Sequence, residues 1–94
     1  MSEDKVRKHV YISGRVQGVG FRASTRRKAN HYGVKGWVKN LYDGRVEAII
    51  SGERECVEKL IDYVKIGPQM ARVEEVEINE QEFRDEFNNF TIKF

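Results

Sequence analysis

The residues best suited to chemistry lie in one short stretch, Gly14–Arg22, in which three glycines are followed by an arginine. Glycine tolerates positive φ, so this stretch can bend until successive backbone N–H groups converge on one anion. A helix that starts directly after it adds N–H groups without partners and the positive end of its dipole. Arg22 would lie in the first helical turn, where its guanidinium offers forked donors that match phosphate oxygens. The stretch therefore predicts a phosphate-binding loop.

This loop differs from the two common nucleotide-binding signatures. It lacks the Gly-Lys-Ser/Thr ending of the P-loop, and Gly18-Val19-Gly20 does not continue to the full dinucleotide spacing. A plain glycine-rich turn with a surface arginine accounts for the same residues. The spacing alone leaves both interpretations open.

The flanking pattern predicts a strand before the loop and a helix after it. Residues 8–12 alternate polar and apolar side chains and are rich in β-formers, which indicates a first strand. After the loop, apolar residues recur every three or four positions as far as Tyr32, and Gly33 follows where a helix C-cap belongs. The loop is thus expected to join a strand end to a helix start.

The rest of the chain continues this alternation of strands and helices. Strands are predicted over residues 34–41 and 45–51, joined by an Asp43-Gly44 turn, and a helix over residues 53–66, ended by Gly67-Pro68. A fourth strand starts from Arg72, where Val73 breaks the alternation and indicates a bulge or a later start. A last strand covers residues 90–94.

The order of these elements predicts an α+β fold. It is the split βαβ, ferredoxin-like arrangement with an extra C-terminal strand. We expect an antiparallel sheet with both amphipathic helices on one face, because each helix has a single apolar stripe to bury. The other face would be open or partly shielded by Tyr11, Trp37 and Ile49. We expect residues 1–94 to form a single domain, with residues 1–6 flexible.

Composition and charge exclude several classes of protein. The single cysteine, Cys56, cannot form an internal disulfide, and the only histidines, His9 and His31, have no zinc-ligand spacing. No stretch approaches the roughly 18 apolar residues of a membrane span, and the N-terminus lacks a signal-peptide core, so we expect a cytoplasmic protein. Net charge is +2, yet seven basic and no acidic residues lie from Arg15 to Lys39. This asymmetry favours an anionic partner for the first half.

Several segments resemble the acylphosphatase family. The string Gly-Arg-Val-Gln-Gly-Val-Gly-Phe-Arg at residues 14–22 is similar to the family signature at every position. A second family segment follows at the expected distance and comprises Gly36-Trp37-Val38-Lys39-Asn40 with Asp43-Gly44. Further matches are Gly67-Pro68, Ala71, Val73, Phe90 and Ile92. The resemblance runs from about Val10 to Phe94, essentially the whole chain.

This resemblance implies a ferredoxin-like fold and metal-independent hydrolysis of the carboxyl-phosphate bond of acyl phosphates, with no cofactor. By position, Arg22 and Asn40 match the family's catalytic arginine and asparagine. The phosphate would be held by Arg22 together with the loop residues Arg15, Val16, Gln17, Gly18, Val19 and Gly20. We expect inorganic phosphate to be product and inhibitor, no nucleic-acid or membrane partner, and a monomer.

The chemistry of Asn40 agrees with this role. Its side chain both donates and accepts hydrogen bonds, so it could hold a water in line with the phosphorus. An acyl phosphate already has a carboxylate leaving group, and no Asp, Glu or His lies beside either motif except Asp43. We therefore expect the proton to pass from the water to a phosphate oxygen. The alternative is a turn-forming asparagine before Tyr42-Asp43-Gly44.

Two other functions fit parts of the pattern. A single-stranded RNA-binding module shares the element order but needs aromatic residues on its two central strands, whereas residues 45–51 have none and include Glu47. A maturation domain within a larger carbamoyl-transferring protein carries the same signature, but zinc-finger cysteines are missing here. The chain also departs from the family pattern at Tyr42, often proline or a small residue, and at Gln69, often proline. These departures concern loop rigidity rather than the catalytic pair.

Overall fold

The computed structural model describes residues 4–94, in which five strands and two helices follow one another. The elements are β1 Lys5–Arg15, α1 Phe21–Tyr32, β2 Lys35–Asn40, β3 Val46–Glu53, α2 Arg54–Val64, β4 Arg72–Gln81 and β5 Phe90–Lys93. The strands form one sheet in the order β4-β1-β3-β2-β5. The predicted ferredoxin-like α+β fold is confirmed, and Gly33 caps α1 in the left-handed conformation as expected.

The hydrophobic core lies between the sheet and the two helices. The helix α1 packs against α2, β2 and β5, while α2 packs against β1 and β3, so both helices cover one face. The side chains that close this layer are fully or almost fully buried and include Val10, Ile12, Phe21, Val38, Ile50, Leu60 and Val64. Burying one such side chain contributes roughly 1.5–3 kcal/mol relative to exposure. Asn40, two residues after Val38, lies on this same side of β2.

The opposite face of the sheet carries no helix and is covered by pairs of its own side chains. The guanidinium of Arg45 lies 4.5 Å from the ring centroid of Tyr11, and the ammonium of Lys93 lies 4.4 Å from that of Trp37. Ile49 is buried on this face. The expected shielding by Tyr11, Trp37 and Ile49 therefore includes cations stacked on the aromatic rings.

The sheet is mixed rather than purely antiparallel, which corrects our prediction. Strand β5 pairs with β2 in parallel, with Trp37 opposite Thr91 and Lys39 opposite Lys93. The strand β4 runs antiparallel to β2, so β4 finishes at the end of the sheet where β2 starts. The connection over residues 82–89 stays at that end, where Arg7 bonds to Glu86. The strand β5 therefore starts beside the start of β2 and runs parallel to it. Its last residues therefore arrive beside Asn40.

The start of β4 carries the bulge that the sequence indicated. Ser13 pairs with Glu75 and Gly14 pairs with Val73, so Glu74 has no partner across the ladder. Gly14 has φ +119°, and a Cβ atom there would lie 2.2 Å from the carbonyl oxygen of Arg72. Only glycine fits this close approach, and the bulge bends the end of β1 as the chain enters the loop.

The N-terminal segment is more ordered than we expected for residues 1–6. Lys5 and Val6 are part of β1, and Val6 is only 2% exposed. The carboxylate of Asp4 accepts a 2.8 Å hydrogen bond from the guanidinium of Arg54, whose backbone N–H donates to the carbonyl of Asp4. The expectation therefore does not hold for residues 4–6, and its remainder falls on residues 1–3, outside the described part.

Candidate active site

The loop between β1 and α1 is anchored to the hydrophobic core by two of its side chains and is open to solvent at its glycines. Val16 is buried in the core and Val19 packs against it, so two side chains fix the loop from inside. Gly18 and Gly20 have φ of +76° and +78°, and a Cβ atom at either would meet no atom within 4 Å. The left-handed backbone, rather than crowding, therefore requires these glycines. The space outside the loop is free for a ligand.

The backbone donors of this loop are available to an anion. The N–H groups of residues 16–20 donate to no acceptor in the described part of the chain. Gly20, the N-cap of α1, contributes no side-chain hydrogen bond, and the first turn holds no acidic residue. Helix N-termini with unpaired N–H groups favour anions through both hydrogen bonding and the helix dipole. The local structure thus agrees with the predicted phosphate loop.

Arg22 and Asn40 lie on the same two adjoining pockets, one of about 560 Å³ and one of about 170 Å³. Both pockets are also bordered by Phe94. The smaller pocket reaches the glycines of the loop and is lined by Gly18, Gly20, Phe21, Arg22, Ala23, Asn40, Ile92 and Phe94. The larger pocket opens from it and is lined by Gln17, Arg22, Lys39, Asn40, Leu41, Tyr42 and Phe94. The fold therefore brings the two predicted catalytic residues to one cleft.

The side chain of Asn40 is held where β2 ends. Its Oδ1 atom is buried, yet it accepts no hydrogen bond from any residue that the structure describes. Leaving a buried acceptor unsatisfied costs about 1–3 kcal/mol, so native proteins rarely keep one without a use. This oxygen is closed to solvent, but Asn40 as a residue lines both pockets, so its side-chain amide is available to a water in the cleft. Asn40 is the last residue of β2 rather than part of the turn, which favours this interpretation over the turn-forming asparagine.

Gln17 ties the loop to the hairpin that follows Asn40. Its Nε2 atom donates to the backbone carbonyl of Leu41 at 2.8 Å and to that of Arg45 at 2.9 Å. The two carbonyls belong to opposite sides of the β2–β3 turn, where the N–H of Leu41 also donates to Arg45 at 2.8 Å. One amide thus fixes the distance between the loop and the end of β2. Its side chain serves positioning, which leaves its backbone N–H as the group that it can offer to phosphate as part of the predicted loop.

Replacing Gln17 by Met should loosen this connection with little change in volume. Each hydrogen bond contributes about 0.5–1.5 kcal/mol, so the free energy of unfolding should fall by about 1–3 kcal/mol. Because reactive groups displaced by about 1 Å lose up to 10²-fold in rate, kcat should fall more steeply than phosphate affinity. Urea unfolding and steady-state kinetics measure the two effects. Gln69→Met, at an exposed glutamine, is the control, and equal kinetics for both variants would contradict the positioning role.

Asp43, the carboxylate closest in sequence to the second motif, is engaged in its own turn. Its Oδ1 atom accepts from the backbone N–H of Arg45 at 3.1 Å, and its Oδ2 atom accepts from the guanidinium at 2.8 Å. These hydrogen bonds, first the backbone one, lower the pKa of Asp43. A carboxylate with a lowered pKa is a weak base, and this one does not line either pocket. Asp43 is therefore a turn residue.

The remaining loop residues, Arg15, Val16 and Val19, line neither pocket. Arg15 is exposed at the end of β1, opposite Arg72. The side chains of Val16 and Val19 face the core, so these residues can offer only backbone groups to a ligand.

Within residues 4–94, no group of three or more His, Cys, Asp and Glu residues could hold a metal ion. No helix of this part of the chain is long and apolar enough to cross a membrane.

Seven residues on the cleft were not predicted as site residues: Lys39, Leu41, Tyr42 and Phe94 on the larger pocket, and Phe21, Ala23 and Ile92 on the smaller one. Lys39 and Leu41 flank Asn40, so their proximity could have been found from the motif itself. Phe94 could not, because its place depends on the parallel pairing of β5 with β2.

Comparison with known proteins yields one consistent family. The acylphosphatase family model matches residues 8–92. An acylphosphatase from Syntrophobacter fumaroxidans is 52% identical over 97% of this chain and 94% of its own length. The solved acylphosphatases from Coxiella burnetii and Bacillus subtilis both superpose with a TM-score of 0.91, at 38% and 31% identity. They match 99% and 95% of this chain, and 100% and 99% of their own lengths.

Proposed function

This chain belongs to the acylphosphatase family, enzymes that hydrolyse acyl phosphates, and we propose that Arg22 and the loop hold the phosphate while Asn40 orients the water. The observation that carries the proposal is that Asn40 and Arg22 line the same two pockets. The amide of Asn40 can hold a water beside a phosphate that is bound by the arginine.

The phosphate is held by charge and by backbone donors. Arg22 lines the smaller pocket together with Gly18 and Gly20, and the backbone N–H groups of residues 16–20 have no acceptor among residues 4–94. A hydrogen bond to a charged group contributes about 1.5–3 kcal/mol, and the helix N-terminus adds about 0.3–1 kcal/mol. These donors neutralise the negative charge of the phosphate, which lets a nucleophile approach.

The reaction needs only this pair and the substrate itself. The water, held by the side-chain amide of Asn40, attacks phosphorus while the bond from phosphorus to the bridging oxygen breaks, and the carboxylate leaves with that electron pair. The water's proton passes to a phosphate oxygen, since Asp43 is tied to Arg45 and lines neither pocket. Positioning and charge neutralisation carry most of the catalysis of phosphoryl transfer.

Metal independence follows from this scheme and is testable by chelation. We expect the protein to hydrolyse benzoyl phosphate and acetyl phosphate without added metal, at a rate that EDTA leaves unchanged. Inorganic phosphate should inhibit competitively, because product and substrate share Arg22 and the loop. Release of benzoate, followed by ultraviolet absorbance with and without EDTA, makes the measurement. Activity that disappears with EDTA and returns with a divalent cation would contradict the scheme.

The proposal includes a monomer in the cytoplasm. The thiol of Cys56 is free and half-buried in α2, packed against the core, which suits a reducing compartment. The edge of the sheet formed by β4 also disfavours pairing between copies, since β4 carries four glutamates.

A further inference from the structure

Two large aromatic side chains stand exposed at the catalytic cleft. Among residues 4–94, the exposed large hydrophobic residues are Tyr42, Ile66, Met70 and Phe94. Tyr42 and Phe94 both line the larger pocket, which also holds Arg22 and Asn40. Phe94 is 99% exposed, so neither packing nor stability of the core accounts for it. Exposed apolar side chains that gather at a pocket indicate a surface that a ligand covers.

Phe94 is placed directly against the arginine that binds phosphate. The guanidinium carbon of Arg22 lies 5.0 Å from the centroid of the Phe94 ring. Within an acyl phosphate, a single bridging oxygen separates the phosphorus from the acyl carbon. A phosphate bound at Arg22 therefore brings the acyl group within reach of the Phe94 ring. Aromatic rings attract one another at centroid distances of 4.5–7 Å.

Besides Phe94, two side chains with large apolar surface line the larger pocket, Leu41 and Tyr42. Leu41 follows Asn40 and is half-buried, and its carbonyl is fixed by Gln17. Tyr42 is next in the chain, at the hairpin turn, with its ring fully exposed. Lys39 is the cation on this pocket besides Arg22. Three apolar side chains against one lysine favour an uncharged acyl group over one that carries a second anionic group.

We propose that Phe94, with Leu41 and Tyr42, forms an acyl-binding surface that selects acyl phosphates with an aromatic acyl group. The inference rests on the proposed function, because the substrate's phosphate must lie at Arg22 for its acyl group to reach this surface. Phe94 and Tyr42 act on specificity and take no part in the bond-breaking step. Their exposure also means that replacing them leaves the core intact.

The test compares kcat/KM for benzoyl phosphate and acetyl phosphate in the wild type and in Phe94→Ala. Aromatic pairs contribute about 0.5–1.5 kcal/mol, so the benzoyl-to-acetyl ratio should fall by about 2- to 12-fold. The fall should come mainly from a higher KM for benzoyl phosphate, with acetyl phosphate changed less than about twofold. Tyr42→Ala should lower the ratio by a smaller factor. Ile66→Ala, an exposed apolar residue outside the cleft, is the control and should leave the ratio unchanged.

Two outcomes would overturn the inference. One is an unchanged benzoyl-to-acetyl ratio in Phe94→Ala; if activity on both substrates falls equally, Phe94 only supports Arg22. The other is faster hydrolysis of succinyl phosphate than of benzoyl phosphate, which would assign the pocket to anionic acyl groups through Lys39. A wild type that hydrolyses no acyl phosphate would instead contradict the proposed function. In that case, tighter binding of phenylphosphonate than of methylphosphonate, lost in Phe94→Ala, would still support the aromatic surface.

Discussion

Asn40→Ala is expected to lower kcat for benzoyl phosphate by about 10²–10³-fold, the range found when one preorganised catalytic hydrogen-bonding group is removed. The affinity for inorganic phosphate should change by less than about threefold, because the guanidinium of Arg22 and the loop N–H groups remain. The physical reason is that Asn40, which lines the cleft beside Arg22, is the residue that we propose to orient the water. Steady-state kinetics and phosphate titration calorimetry on the same preparation separate the two effects.

Two further variants control for charge and for the loss of an amide. Asn40→Asp keeps the shape but places a negative charge beside the phosphate, so both kcat and phosphate affinity should fall. Asn88→Ala removes an exposed asparagine from the connection between β4 and β5 and should leave both values unchanged. If Asn40→Ala loses phosphate affinity as strongly as turnover, then Asn40 binds the phosphate and the assignment of the water is wrong.

Arg22→Ala should lose phosphate binding and turnover together. Two hydrogen bonds from a guanidinium to phosphate, at about 1.5–3 kcal/mol each, correspond to at least about 10²-fold in phosphate affinity. The loss in kcat/KM should reach about 10³-fold or more, as for other arginines that neutralise a transferred phosphoryl group. Arg22→Lys should recover only part of it, since an ammonium lacks the forked geometry. Calorimetry with phosphate and hydrolysis of benzoyl phosphate are the two measurements.

The control for this variant is available on the same helix. Arg27 is exposed on α1, and Arg27→Ala removes the same charge without touching the cleft. The phosphate affinity of Arg27→Ala should fall by no more than about twofold at physiological salt, because salt screens the attraction between a distant surface charge and the phosphate. Phosphate binding that survives Arg22→Ala unchanged would remove Arg22 from the site. Equal losses in Arg22→Ala and Arg27→Ala would mean that net charge, rather than position, binds the anion.

Local signals allowed the elements and the loop to be predicted. Alternation and three-to-four spacing depend on each segment's own geometry, so the strands and helices were placed within a few residues. The bulge was visible as well, because Val73 breaks an alternation that its neighbours keep. Gly33 has the same local character, since a left-handed C-cap position selects glycine whatever packs above it.

Apart from Lys39 and Leu41, which flank Asn40, the main features that the sequence missed depend on segments distant along the chain. The parallel pairing of β5 follows from the path of residues 82–89, and Phe94 reaches the cleft only through that pairing. The bonds of Gln17 reach carbonyls 24 and 28 residues away, which no local pattern contains. For Asn40, the motif gave its position at a strand end, whereas the burial of its Oδ1 atom depends on how α1, β2 and β5 pack.

The attack of water on phosphorus is the central claim, and hydrolysis in ¹⁸O-labelled water tests it most directly. The enzyme should convert benzoyl phosphate to products in that solvent, and mass spectrometry should then locate the label in each product. Because Asn40 holds the water against the phosphate bound by Arg22, we predict one ¹⁸O atom in inorganic phosphate and none in benzoate. Label in benzoate would mean attack on the acyl carbon, and it would contradict the account.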